Sequence, residues 1–80
     1  MKNLTYEIVI EREADPKGGY SVYCPDLPGC FSNGGSAEEA KKNMAEAISL
    51  HLESLRSLGK RIPKPKHRFI VEELTIPEFA

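Results

Sequence analysis

The chain predicts an α+β domain of order β-β-β-α-β, a sheet with one long helix packed on a face, and three observations carry that expectation. Apolar and polar residues alternate through the first third of the chain and β-forming residues return near its end. Between these regions lies a long apolar stripe at helical spacing, opened by Ser36 and closed by Gly59. Glycine- and proline-rich breaks separate the segments.

Leu4, Tyr6, Ile8 and Ile10 alternate with Thr5, Glu7, Val9 and Glu11, which predicts a strand with one mostly apolar face. Val9 interrupts the polarity of the second face and predicts partial cover there. Ala14-Asp15-Pro16-Lys17-Gly18-Gly19 supplies a turn, with Asp-Pro to start it and Gly-Gly to allow positive φ. The strand that follows sends Tyr20, Val22 and Cys24 to one face and Ser21 and Tyr23 to the other. It pairs most simply as a hairpin with the first.

Pro25 and Pro28 then withhold two amide donors, so the ladder must break between Cys24 and Cys30. A third strand over residues 30–33 completes a meander. Ser36 and Glu39 have the spacing of a capping box, each side chain bonding the other residue's amide. Ala40, Met44, Ala47, Ile48, His51, Leu55 and Leu58 fall in one helical stripe, widened by Leu50 and Leu52. Gly59 stops the helix at about Leu58. Ile62-Pro63-Lys64-Pro65-Lys66 reads as an extended connection. His67 to Leu74 predicts a fourth strand, and Thr75 to Ala80 a tail anchored by Ile76 and Phe79.

Eighty residues make one small domain, with little left for a deep enclosed pocket. Domains of this size often gain burial by self-association, so a homodimer or tetramer is expected, through strand edges or the outer flank of the helix. Eleven basic and twelve acidic residues give a net charge of -1, which argues against a general nucleic-acid binder. No apolar run approaches the about eighteen residues that a membrane span needs. The N-terminus alternates like a strand instead of carrying a secretory signal, so a cytoplasmic location is expected.

Two cysteines are too few for a disulfide framework and read as buried free thiols. Neither His51 nor His67 stands at zinc-ligand spacing, and no metal or other cofactor is expected. His51, alone in an apolar stripe, reads as a packed histidine before it reads as a general base. Glu7 and Glu11 share the polar face of the first strand, and a solvated face explains them better than a two-metal site. Asp26, held between prolines, reads as a turn residue accepting a local backbone hydrogen bond. Arg56, Lys60, Arg61, Lys64, Lys66 and Arg68 make the second half locally basic, yet glutamates interleave and no stacking aromatics accompany them.

Asp15-Pro16, Gly18-Gly19-Tyr20, Val22, Pro25 to Cys30, Ser36, Glu38 to Ala40, Asn43, Glu46 to Ile48, Leu52 to Leu55, Gly59, Ile62-Pro63 and Pro65 run in an order that resembles the HicB-like antitoxin family. The resemblance implies a partial ribonuclease H-like fold, with the same element order that periodicity suggests. It implies a binding role in a type II toxin-antitoxin system: such proteins neutralise HicA, a small messenger-RNA-cleaving toxin, by covering its active site. HicA is basic as an RNA binder, so the exposed carboxylates Glu7, Glu11, Glu13 and Asp26 are complementary to it, and these four with Tyr23 are the expected partner-binding residues. Many members carry a second, C-terminal DNA-binding domain; residues 1–80 leave no room for one, so operator binding is not expected. The competing readings are a vestigial metal-dependent nuclease and a self-associating domain with another protein partner.

Overall fold

Gly19 adopts a φ of +72°, which lets the chain reverse tightly enough for the Glu13 amide to donate to Gly19 O at 2.9 Å. On either side of that reversal run β1 (Val9–Arg12) and β2 (Tyr20–Tyr23), paired antiparallel with Val9 opposite Tyr23 and Arg12 opposite Tyr20. The computed structural model describes residues 3–15 and 17–78; Pro16 of the first turn and Phe79 of the tail lie outside them. β3 (Phe31–Gly34) adds to the far side of β2, giving a three-stranded antiparallel sheet in the order β1-β2-β3. The meander is as expected, with a first strand that begins at Val9 and not at Leu4.

The corner between β2 and β3 is held by its own backbone. Leu27 N donates to Cys24 O and Cys30 N to Leu27 O, both at 3.0 Å, while Cys24 N reaches Cys30 O at 3.3 Å. The corner closes on these three bonds without the two amides that the prolines lack, and Leu27 is fully buried within it.

The helix α1 (Ala37–Ser57) is capped by Ser36, whose Oγ accepts from Glu39 N at 3.1 Å. The reciprocal bond differs from the expected box by one residue: Glu39 Oε1 accepts from Gly35 N, not from Ser36 N. At the other end Gly59, with a φ of +69°, lets its own amide and those of Leu58 and Lys60 close on Arg56, Ser54 and Leu55 carbonyls. The helix packs mainly over β3 and β2. Gly34 is the contact point: a Cβ there would stand 2.5 Å from Ala40 N, so glycine sets how closely helix and sheet approach.

Val22, Cys24, Leu27, Cys30, Ala40 and Met44 form the core, with Tyr6, Ile8, Ile10, Tyr20, Ala47, Ile48 and Leu52 packed against it. The helical stripe is thus confirmed through Leu52, whereas Leu50 and Leu58 are exposed. Both cysteines are free and buried, and burial together with neighbouring Cys24 pushes the Cys30 thiol pKa up.

The expected fourth strand does not form. Residues 67–78 are extended but pair with no strand among the described residues. Ile70, Val71 and Leu74 are 85%, 94% and 87% exposed, and Ile76 anchors nothing. β-Propensity describes fit to a pleated, half-buried surface, and this segment has no such surface within its own chain.

Candidate partner-binding site

Register decides what the helix-free face of the sheet presents. Val22 is buried beneath α1, so its neighbours Ser21 and Tyr23 point away from the helix. Across the ladder, Val9, Tyr23 and Phe31 fall in one row, and Glu11, Ser21 and Asn33 in the next. The first row is an apolar band over all three strands. Phe31, at its edge, is 72% exposed, and Tyr23 beside it is largely exposed too. The second row is polar and carries an exposed carboxylate at Glu11.

Beyond the apolar row, the crossing segment after α1 closes the corner end of the sheet. Asp26 Oδ2 accepts from Lys66 N at 2.8 Å, and Asp26 Oδ1 takes the Arg68 guanidinium at 3.1 Å. Glu7 Oε1 accepts from Arg68 N at 2.7 Å. The local turn bond expected of Asp26 is therefore replaced by a clasp to residues distant in sequence. Pro25, Pro28, Pro63 and Lys64 line an open cleft of about 330 Å³ together with Asp26, Lys66 and Arg68. Tyr6 completes the closure by donating its hydroxyl proton to Pro63 O. Burial, then the nearness of Cys24 and of the Asp26 carboxylate, raises the Tyr6 pKa.

The five residues singled out from sequence thus divide. Glu11 and Tyr23 lie on the helix-free face; Glu7 and Asp26 belong to the clasp at its end, with their oxygens engaged. Glu13 sits exposed at the other end, in the β1–β2 turn, with its Cβ against Gly18. Val9 and Phe31 were missed as surface residues, because alternation gives faces but only register aligns three strands into a row. Among the described residues no group of three or more His, Cys, Asp or Glu side chains is placed to share a metal ion. No helix among them is long and apolar enough to cross a membrane.

The family described as HicB_like antitoxin of bacterial toxin-antitoxin system matches residues 6–80. UPF0150 protein ssr1765 of Synechocystis is 45% identical over 89% of this chain and 85% of its own length. UPF0150 protein Ta0767 of Thermoplasma acidophilum is 37% identical over 91% of this chain and 97% of its own length. A chain of the solved HicA3 and HicB3 toxin-antitoxin complex superposes with a TM-score of 0.62 at 32% identity, covering 78% of this chain and 70% of that one. A three-stranded meander under one long helix, with an exposed apolar band on the open side, defines a small α+β domain of the HicB-like type. The chain belongs to the HicB-like antitoxin family of bacterial toxin-antitoxin systems.

Proposed function

We propose that the protein neutralises a HicA-type, messenger-RNA-cleaving toxin by binding over it, with no chemistry of its own, and that the helix-free face of the sheet is the surface it uses. The observation that carries this reading is the Val9–Tyr23–Phe31 row, bordered by Glu11. Small monomers rarely leave aromatic side chains contiguous and bare, and an apolar centre rimmed by charge is the anatomy of a protein interface. A basic RNA-cleaving partner meets favourable charge at Glu11, while Glu7 and Asp26 keep the corner end of the face rigid. Family membership and the likeness to a chain of a toxin-antitoxin complex support the same reading.

Coexpression with the neighbouring small open reading frame, followed by affinity copurification and a growth-rescue assay, tests it. The unmodified chain is expected to retain the toxin and restore growth. Tyr23→Ala with Phe31→Ala is expected to weaken the complex by roughly thirtyfold or more, the scale of aromatic hot spots, with helical circular dichroism unchanged. Glu53→Ala, on the exposed side of the helix, serves as the control. Full retention of the toxin by the double variant, or no complex with the unmodified chain, overturns the reading.

A further inference from the structure

The chain exposes far more surface than its mass warrants. A folded monomer of 8.9 kDa is expected to expose about 4,800 Å². This chain exposes 7120 Å², an excess of about 2,300 Å² over that scaling. Its radius of gyration is 15.9 Å, against about 11.6 Å for a compact domain of this length. Much of the difference is the arm after Arg68, with the sequence Phe-Ile-Val-Glu-Glu-Leu-Thr-Ile. None of the backbone hydrogen bonds among the described residues involves residues 69–78. Left bare, such a segment is an invitation to pair with another strand.

The molecule also holds a matching acceptor. Among the described residues β1 has β2 on one side and no strand on the other. Between the segment that leads into β1 and the helix runs a groove of about 270 Å³, lined by Leu4, Tyr6, Ile8, Met44, Ala45 and Ile48, with Lys41 at its lip. The opposite edge, β3, is less available, because Asn43 Nδ2 already donates to Asn33 O at 2.8 Å.

We infer that the arm of one copy adds as a strand to the β1 edge of a second copy, and that the exchange is reciprocal. In an extended arm Ile70, Glu72, Leu74 and Ile76 share one face; the three apolar side chains enter the groove, Glu72 between them turns to Lys41 at its lip, and Phe69, Val71 and Glu73 lie on the other side of the added strand. Glu72 thereby meets positive charge at Lys41. The root of the arm favours a second copy over the arm's own sheet: Arg68 is pinned by Glu7 and Asp26, and the residues after it depart from the core. A reversal there would fall in Arg68-Phe69-Ile70-Val71, which has no turn-forming residue. Each copy offers one arm and one groove, so a two-fold axis satisfies both at once. The excess area exceeds the about 800 Å² per partner of a standard stable interface.

Light scattering coupled to size exclusion on the full chain is expected to give twice the chain mass. Ile70→Asp with Leu74→Asp is expected to halve that mass while helical circular dichroism is retained. A second measurement identifies the contact: chains carrying Ala45→Cys are mixed with chains carrying Leu74→Cys and oxidised. A disulfide between the two kinds of chain, seen as a dimer band on non-reducing gels, is the expected product. A single-chain mass for the unmodified protein, or a dimer untouched by the arm substitutions, overturns the inference. So does a crosslink that forms only within one chain carrying both cysteines. No toxin enters either measurement, so the outcome is independent of the reading above.

Discussion

Asp26 and Arg68, forty-two residues apart, are joined by a 3.1 Å ion pair in which the carboxylate is 5% exposed and the guanidinium 52%. The asymmetry matters. The exposed arginine contributes little by charge alone, as surface pairs do. The nearly buried carboxylate, which also accepts from Lys66 N, is the member that organises the crossing. Asp26→Ala is expected to cost about 1–3 kcal/mol, the range for losing hydrogen bonds to a charged group. Arg68→Ala should cost less. Urea midpoints rank the two, and hydrogen exchange at the Lys66 amide should accelerate in Asp26→Ala alone.

Two glycines separate close packing from backbone conformation. A methyl group on Gly34 would stand 2.5 Å from Ala40 N, and backbone cannot yield there without lifting α1. Gly29 has open space around it but a φ of +82°. Gly34→Ala is therefore expected to destabilise by about 1–3 kcal/mol through overpacking. Gly29→Ala incurs only the left-handed backbone cost, about 1–2 kcal/mol. Calorimetry orders them; near-ultraviolet circular dichroism, which reports packing around Tyr20, should change only for Gly34→Ala.

Leu27 fills the corner of the core, with none of its surface accessible. Truncation to alanine leaves a cavity and is expected to cost about 2–5 kcal/mol. That is a large share of the about 4–12 kcal/mol available to a domain of this length. Leu50→Ala, on an exposed helix position, should change stability by less than about 0.5 kcal/mol. Chemical denaturation of the two variants is the check; comparable losses would mean that Leu27 is not part of the core.

Local chemistry made the hairpin, the helix limits and much of the core legible. Tyr20, Val22 and Cys24 declare their face by alternation, and Ser36 and Gly59 bracket the helix within a residue at each end. Leu27 was not legible, because a single leucine between two prolines has no periodic neighbours to reveal its direction. The Asp26 clasp was hidden for another reason: its partners lie across the chain, and spacing carries no information about them. The arm from Phe69 onward misled by composition, since β-forming side chains state a preference and leave the pairing partner unnamed. The Val9–Tyr23–Phe31 row needed register, which depends on where both turns close.

Tyr6 gives the fold a dependence on alkaline pH. Its pKa in the folded chain is raised, so the folded state holds this proton to higher pH than the unfolded state does. The associated stability is fully present below the ordinary tyrosine value of about 10 and is lost as pH rises through the folded value. Cys30, also raised, acts in the same direction from the thiol range of about 8.5 upward. Tyr6→Phe removes the bond to Pro63 O and should cost about 0.5–1.5 kcal/mol at neutral pH. Because phenylalanine does not ionise, the stability gap between this variant and the unmodified chain should narrow as pH rises through the tyrosine range. A gap that stays constant in urea titrations over that range would show that the Tyr6 proton is not linked to folding, and the remaining slope in Tyr6→Phe should flatten further with Cys30→Ala.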